Sequence, residues 1–219
     1  RHAGLLREGI NARLWIEERG YYGQFLYGRD TLLLSPRSET LGEALCILWD
    51  IAPAERASRV VEQVPSLDFG TPCFFPSIPD VPPYHNDAVW PFVQAYWTLA
   101  AARTGNEPNV LHGIGAIWRA GLLFLTNQEN FVSWSGDRYG TQINSANMLW
   151  SLSGNLALTY RLLFGLDFEA DGLRFAPFVP EALDTPRRLE NFRYAVSLSR
   201  ERLRITEARG SVGNFSRLH

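Results

Sequence analysis

The chain has 219 residues, of which 46% are hydrophobic and 20% charged, and its formal net charge is −2. This composition is typical of a soluble globular protein and excludes disordered, collagen-like and coiled-coil classes. No stretch approaches the roughly 18 uncharged apolar residues of a membrane-spanning helix. Two cysteines are too few for a disulfide scaffold. The cysteine count therefore does not decide whether the protein is cytoplasmic, periplasmic or secreted.

The chain begins at Arg1, and its only methionine is Met148. We therefore expect a piece of a longer polypeptide, with any signal peptide lost upstream. Residues 187–219 are basic, with eight Arg against three Glu. A nucleic-acid contact is one interpretation of that charge. We favour a solvated strand face and no nucleic-acid partner, because no nucleic-acid motif accompanies the arginines.

Apolar residues at helical spacing predict about six helices in the first 170 residues. The predicted helices cover approximately residues 2–15, 36–51, 54–64, 87–103, 109–126 and 144–164. Pro53 fits the first turn of the third helix, where proline is tolerated. Between the helices we expect a short strand or ordered loop at 21–27, an ordered proline-rich loop at 65–83 and a polar, aromatic loop at 127–142.

After Gly172 the pattern changes to period two, as in antiparallel strands with one buried face. The predicted fold class is therefore mainly α, with consecutive αα-hairpins over residues 1–170 and a small antiparallel β region over 171–219. Gly113 and Gly115 lie within a predicted helix, so we expect close helix packing there and not a dinucleotide fingerprint.

Three loops, at residues 21–30, 83–92 and 129–140, collect aromatic rings beside carboxylates and amides. Such a mixture suits sugars, whose apolar ring face stacks on Trp or Tyr and whose hydroxyls need polar partners. Glycoside hydrolysis also needs two carboxyl groups. The candidate carboxyls in these loops are Asp30, Asp87, Glu129 and Asp137.

Each candidate also has a purely structural interpretation. Asp87 could cap the fourth helix, Glu129 could be an exposed loop charge, and Asp137 and Asp30 could be turn residues. His85 has no second histidine at metal-ligand spacing, so we expect it to pack or hydrogen-bond. No phosphate loop and no metal or nucleophile-elbow motif occurs, so neither a metal nor a cofactor is predicted.

The run Tyr-His-Asn-Asp-Ala-Val-Trp-Pro-Phe at residues 84–92 resembles the "YHNG-x-VWP" helix start of six-hairpin, (α/α)6-toroid glycoside hydrolases. That group includes glucosidase I-like, mannosylglycerate hydrolase-like and glycogen-debranching-like enzymes. Residues 14–22 are similar to the group's "LW-x-E-x-GYY" segment. Residues 149–151 with 163–166 resemble its last barrel helix, "QLWS…LFG", and residues 177–180 fit the start of the β domain that often follows.

The resemblance implies that this chain is the C-terminal half of a toroid, with the missing N-terminal half as its partner. It also implies an inverting glycosidase acting on a carbohydrate substrate, with the general acid in the missing half. The general base would be Asp137, which we favour, or Glu129; Asp87 is the next candidate and stands where the family commonly has Gly. The implied sugar subsite comprises Tyr84, His85, Asn86, Trp90 and Trp134, with Tyr22 and Gln24 from the first loop.

Two alternatives stay open at this point. A non-catalytic carbohydrate-binding or scaffold protein would keep the fold and lack the acid. A general helical interaction domain would show a flat surface in place of a pocket lined by the three loops.

Overall fold

The computed structural model describes residues 2–170, 172–189, 194–199 and 202–207. The chain divides into two compact units, Arg1–Asn155 and Leu156–His219. The described residues contain six α-helices: α1 (His2–Arg13), α2 (Thr40–Leu48), α3 (Ala54–Gln63), α4 (Pro91–Arg103), α5 (Glu107–Phe124) and α6 (Leu149–Ala157). None of these helices combines the length and the apolar character that crossing a membrane requires.

Short antiparallel strand pairs lie between the helices of the first unit. Each of these strands has two residues, and they form the pairs β1–β2, β3–β4, β5–β6 and β7–β8. Their bounds are β1 (Trp15–Ile16), β2 (Tyr21–Tyr22), β3 (Leu26–Tyr27), β4 (Leu33–Leu34), β5 (Ser38–Glu39), β6 (Phe74–Phe75), β7 (Ala88–Val89) and β8 (Phe131–Val132).

The predicted fold class is wrong. The chain is not a mainly α half-toroid followed by a β region, because small two-stranded sheets alternate with the helices from residue 15 onward. A two-residue strand leaves no period-two pattern, so its backbone pairing is invisible in sequence. The sequence pattern, for example, predicts that residues 87–90 form the first turn of a helix. The structure places β7 at Ala88–Val89 instead, and α4 begins at Pro91, a residue suited to a first helical turn.

The core of the first unit forms where α4 packs against α2 on one side and α5 on the other. Trp97, Ala100 and Ala101 of α4 are all buried. On α5, Gly113 faces Thr98 so closely that any larger residue would clash with the Thr98 hydroxyl. The predicted close helix packing is confirmed at Gly113, where a side chain would meet Thr98 and Gln94 of α4, but it is wrong at Gly115, beside which there is open space.

The second unit continues from α6 through a π-helix at Leu158–Leu163 into β structure. Its strands are β9 (Leu166–Glu169), β10 (Gly172–Phe175), β11 (Arg187–Leu189), β12 (Tyr194–Ser199) and β13 (Arg202–Glu207). β9 and β10 form a hairpin, and β11, β12 and β13 form a three-stranded antiparallel sheet. Much of the basic stretch at 187–219 lies outside the described residues, and the predicted domain boundary at residue 170 stays a prediction.

Candidate functional site

A strand pair joins the loop before α4 to the loop after α5. β7 and β8 pair antiparallel, and Ser133 extends the ladder, since its backbone N–H and its hydroxyl donate to the Asp87 carbonyl at 2.9 and 2.8 Å. The backbone N–H of Gln142 donates to the carbonyl of Pro83 at 2.8 Å. Residues 83–90 and 129–142 therefore lie side by side, although α4 and α5 separate them in sequence.

Five rings form a cluster beside these loops, here called the aromatic cluster: Tyr84, His85, Trp90, Phe92 and Trp150. His85 stacks on Trp90 with centroids 4.7 Å apart and planes 15° apart. Tyr84 meets Trp90 edge-on at 5.2 Å, and Trp150 lies 6.1 Å from Trp90 and 5.9 Å from Phe92. The indole N–H of Trp90 donates to the Tyr84 carbonyl at 2.8 Å, which fixes the loop over the ring.

Burial divides the aromatic cluster into a core and a rim. Trp90 is only 6% exposed and packs against Cys73 and Ala88. His85 covers one of its faces, so Trp90 is a core side chain and not an open stacking platform. Trp150 is 44% exposed and His85 is exposed. These two rings form the rim on which a flat apolar ligand face could stack.

Glu129 lies at the edge of the aromatic cluster. The residue is 7% exposed, and the Tyr84 hydroxyl donates to its Oε1 at 3.5 Å. Burial raises the pKa of Tyr84, and the neighbouring Glu129 carboxylate raises it further, so the phenol keeps its proton. The Glu129 backbone N–H donates to the Ser145 carbonyl at 2.8 Å. The carboxyl is therefore held in place beside an aromatic surface.

Asn86 organises the loop before β7. Its side-chain oxygen accepts from the backbone N–H of Ile78 at 2.7 Å, and its amide nitrogen donates to the carbonyl of Val81 at 2.7 Å. The residue is buried. These bonds occupy the amide group, so Asn86 shapes the loop and does not present its side chain to a ligand.

Asp87 has a backbone φ of 53°, in the left-handed region. This geometry fits the resemblance noted above, in which Gly is common at this position, because Gly and Asp are among the residues that tolerate it best. The Asn86 amide donates to Asp87 Oδ2 at 3.2 Å. Burial raises the pKa of the Asp87 carboxyl, and a hydrogen bond from the Ser77 side chain partly offsets the increase.

Asp137 occupies an exposed turn after β8. Its Oδ1 accepts from the backbone N–H of Tyr139 at 2.8 Å, which is an Asx turn. Gly136 precedes it with φ of 72° and packs against the Phe69 ring. Trp134 is 57% exposed, and no ring of the described residues stacks on it. The structure thus gives Asp137 a local backbone partner and gives Glu129 a contact with the aromatic cluster.

Tyr22 and Gln24 belong to the first of the three predicted loops. Both line a cavity beside α2, and the Tyr22 hydroxyl donates to Asn11 Oδ1 at 2.7 Å. Burial raises the pKa of Tyr22 to about 12. Among the described residues, no hydrogen bond or ring contact joins Tyr22 or Gln24 to the aromatic cluster. The same cavity is lined by Glu39, whose carboxyl interacts electrostatically with His85 of the aromatic cluster.

Sequence reasoning missed two residues near the site. Trp150 belongs to the aromatic cluster, but in the sequence it was recognised only as part of the segment that resembles a barrel helix. Glu39 precedes α2 as its N-cap, accepting from the backbone N–H of Gly42 at 2.7 Å. Burial raises the pKa of Glu39, whereas these cap bonds and the nearby His85 lower it. The signal that could have found Glu39 is its position directly before a helix start.

Within the described part of the chain, no three His, Cys, Asp or Glu side chains are placed to share a metal ion. Comparison with known proteins finds no family model that matches the chain and no similar curated sequence. The arrangement itself offers a buried carboxylate, a phenol that donates to it, and a partly open pair of rings.

Proposed function

We propose that this protein is a glycoside hydrolase whose general base is Glu129. The observation that carries the proposal is the placement of the Glu129 carboxylate against the Tyr84 hydroxyl at the edge of the aromatic cluster. The resemblance of residues 84–92 to glycoside hydrolases supports it. The proposal does not depend on a toroid, which the chain does not form.

In the proposed reaction, the apolar face of a sugar ring stacks on Trp150 and His85, the exposed members of the aromatic cluster. Glu129 takes a proton from a water molecule, which attacks the anomeric carbon. A carboxylic acid gives its proton to the glycosidic oxygen as the bond to the leaving group breaks. We assign that acid to Asp87, because its backbone carbonyl accepts from Ser133 in the loop that carries Glu129, and because burial raises the pKa of its carboxyl, the direction that a general acid needs.

A panel of nitrophenyl glycosides tests the proposal, with hydrolysis followed by nitrophenolate release. Glu129→Gln keeps the shape of the side chain and removes the proton acceptor, so we expect kcat to fall by about two to four orders of magnitude. Glu62→Gln is the matched control, because Glu62 is an exposed carboxylate on α3. Hydrolysis that Glu129→Gln leaves unchanged would contradict the assignment of the base.

A non-catalytic carbohydrate-binding protein is the second candidate. The position of Asp137, the general base that the resemblance favours, supports this candidate. Its carboxylate is exposed and accepts a hydrogen bond within its own turn, so it is not held against the aromatic cluster as a base would be. This candidate predicts saturable binding of a sugar that Trp150→Ala weakens, with no hydrolysis of any glycoside in the panel. Neither binding nor hydrolysis of any sugar tested would contradict both candidates.

A further inference from the structure

A cavity of about 370 Å³ lies beside α2 in the first unit. Its wall is mostly apolar and includes Ile10, Leu14, Leu45, Trp49 and Ile51. An apolar cavity of about 150 Å³ already holds benzene, so this one has room for a larger hydrocarbon body. Its volume and lining are typical of small-molecule sites, which combine apolar walls with a few placed polar groups.

Two carboxyls also belong to the wall, and both are engaged by the protein. Glu43 is 2% exposed, and its Oε1 accepts from the backbone N–H of Tyr22 at 2.8 Å. Glu39 caps α2, because its carboxyl oxygens accept from the backbone N–H groups of Leu41 and Gly42. Burial raises the pKa of both carboxyls. The cavity is therefore suited to an uncharged, largely apolar ligand.

The Glu39 end of this cavity adjoins the aromatic cluster. Glu39 pairs with Phe74 across β5 and β6, and Phe74 packs against the core that contains Trp90. The Glu39 carboxyl also interacts electrostatically with His85, an exposed ring of the aromatic cluster. A ligand seated in the cavity therefore has one end next to the rim on which the proposed sugar stacks.

We propose that this cavity binds the apolar aglycone of the glycoside whose sugar ring stacks on His85 and Trp150. This inference rests on the proposed function, and it narrows the substrate class to glycosides of an aryl or alkyl alcohol. The aglycone packs against Leu45 and Trp49, and the sugar is attached at the Glu39 end. The cap bonds of Glu39 leave acceptor positions on its carboxyl, which a sugar hydroxyl can use.

Two thioglycosides of the sugar that the nitrophenyl panel identifies test the proposal on the unaltered protein. One carries a 2-naphthyl group and the other a methyl group, and the sulfur link resists hydrolysis, so affinity is measured without turnover. Titration calorimetry should give a Kd for the naphthyl probe at least about tenfold below that for the methyl probe. Tenfold corresponds to about 1.4 kcal/mol, which needs only about 60 Å² of buried apolar surface. Equal affinities would overturn the proposal.

Leu45→Trp then locates the preference. Leu45 is half-buried in the wall, so an indole at this position fills the cavity and the preference for the naphthyl probe should disappear. Leu123→Trp adds the same ring at an exposed position of α5 and should keep the preference. A preference that survives in Leu45→Trp would place the naphthyl group elsewhere and overturn the assignment. If Leu45→Trp does not fold, Trp49→Ala removes a 63% exposed part of the wall. An unchanged preference in Trp49→Ala would overturn the assignment equally.

Free 2-naphthol separates a failure of this proposal from a failure of the proposed function. The unaltered protein should bind it and Leu45→Trp should not, whether or not any glycoside is hydrolysed. Hydrolysis without binding of 2-naphthol and without a preference for the naphthyl probe would overturn the aglycone site and leave the hydrolase assignment standing. Binding of 2-naphthol without hydrolysis of any glycoside would overturn the proposed function and the aglycone role with it, and would leave only a site for apolar ligands.

Discussion

The Tyr84 hydroxyl donates to Oε1 of Glu129 at 3.5 Å across 45 residues of sequence. The β7–β8 strand pair makes this contact possible, because it holds the two loops in register. The contact links a residue of the aromatic cluster to a buried carboxyl. It is also near the upper distance limit of a hydrogen bond, so its strength has to be measured.

A double-mutant cycle on Tyr84→Phe and Glu129→Gln measures that strength. Tyr84→Phe removes the donor from a largely buried carboxyl, and we expect it to lower the free energy of unfolding by about 1 kcal/mol. We expect the double variant to deviate from additivity by about 0.5–1 kcal/mol. Urea denaturation of the four proteins gives the coupling energy. Additive single effects would mean that the two side chains do not interact.

Trp90 and Trp150 belong to one cluster but should respond differently to truncation. Trp90 is buried in the core, so Trp90→Ala should lower the free energy of unfolding by about 3–5 kcal/mol. Trp150 is 44% exposed, so Trp150→Ala should destabilise much less and mainly weaken sugar binding. Denaturation midpoints, together with sugar titration of the folded proteins, compare the two. A collapse in stability for Trp150→Ala with little change for Trp90→Ala would reverse these roles.

Part of this architecture could be predicted from the sequence. The third predicted helix matches α3 closely, because Pro53 marks its start and its apolar residues recur at helical spacing. Gly113 was correctly linked to close helix packing. Period-two alternation indicated β12 and β13, which the structure contains. In each case the deciding signal lies within a few neighbouring residues.

Local sequence patterns of this kind could not predict the fold class. Pairing of β5 with β6 joins Ser38–Glu39 to Phe74–Phe75, and two residues a strand carry no periodic pattern that specifies such a partner. The arrangement of the candidate site also depends on strand pairing that the sequence does not specify. Whether Glu129 or Asp137 faces the aromatic cluster depends on the register of β7 against β8, which sequence spacing does not fix.

The backbone of Asp87 makes a prediction about stability. Its φ of 53° is unfavourable for a side chain without a local polar group, and left-handed geometry costs about 1–2 kcal/mol for an ordinary residue. Asp87→Gly should therefore be more stable than Asp87→Ala by about 1 kcal/mol, as measured by chemical denaturation. Equal stabilities would mean that the loop relaxes out of this geometry.

Asp80 supplies a matched control for Asp87. It has a φ of 59° and is exposed in the proline-rich loop at 65–83, seven residues before Asp87. Asp80→Gly should exceed Asp80→Ala in stability by a similar amount and leave glycoside hydrolysis unchanged. Asp87→Gly should instead lower hydrolysis, because it removes the proposed acid. Loss of hydrolysis in both Gly variants would point to loop geometry and not to the Asp87 carboxyl.

Glu43 should make the stability of the protein depend on pH. Burial raises its pKa in the folded state well above the value of about 4.3 in an unfolded chain. The folded protein therefore holds this proton more tightly, and the stabilisation is fully present below about pH 4. It is lost as pH rises through the raised folded pKa. Glu43→Gln cannot ionise, so its free energy of unfolding should rise relative to that of the unaltered protein as pH increases.

Urea denaturation of both proteins at several values between about pH 4 and about pH 8 measures this difference. Glu39, whose pKa burial also raises, is present in both proteins, so most of its contribution cancels in the comparison. Parallel stability curves would mean that Glu43 titrates alike in the folded and unfolded chains.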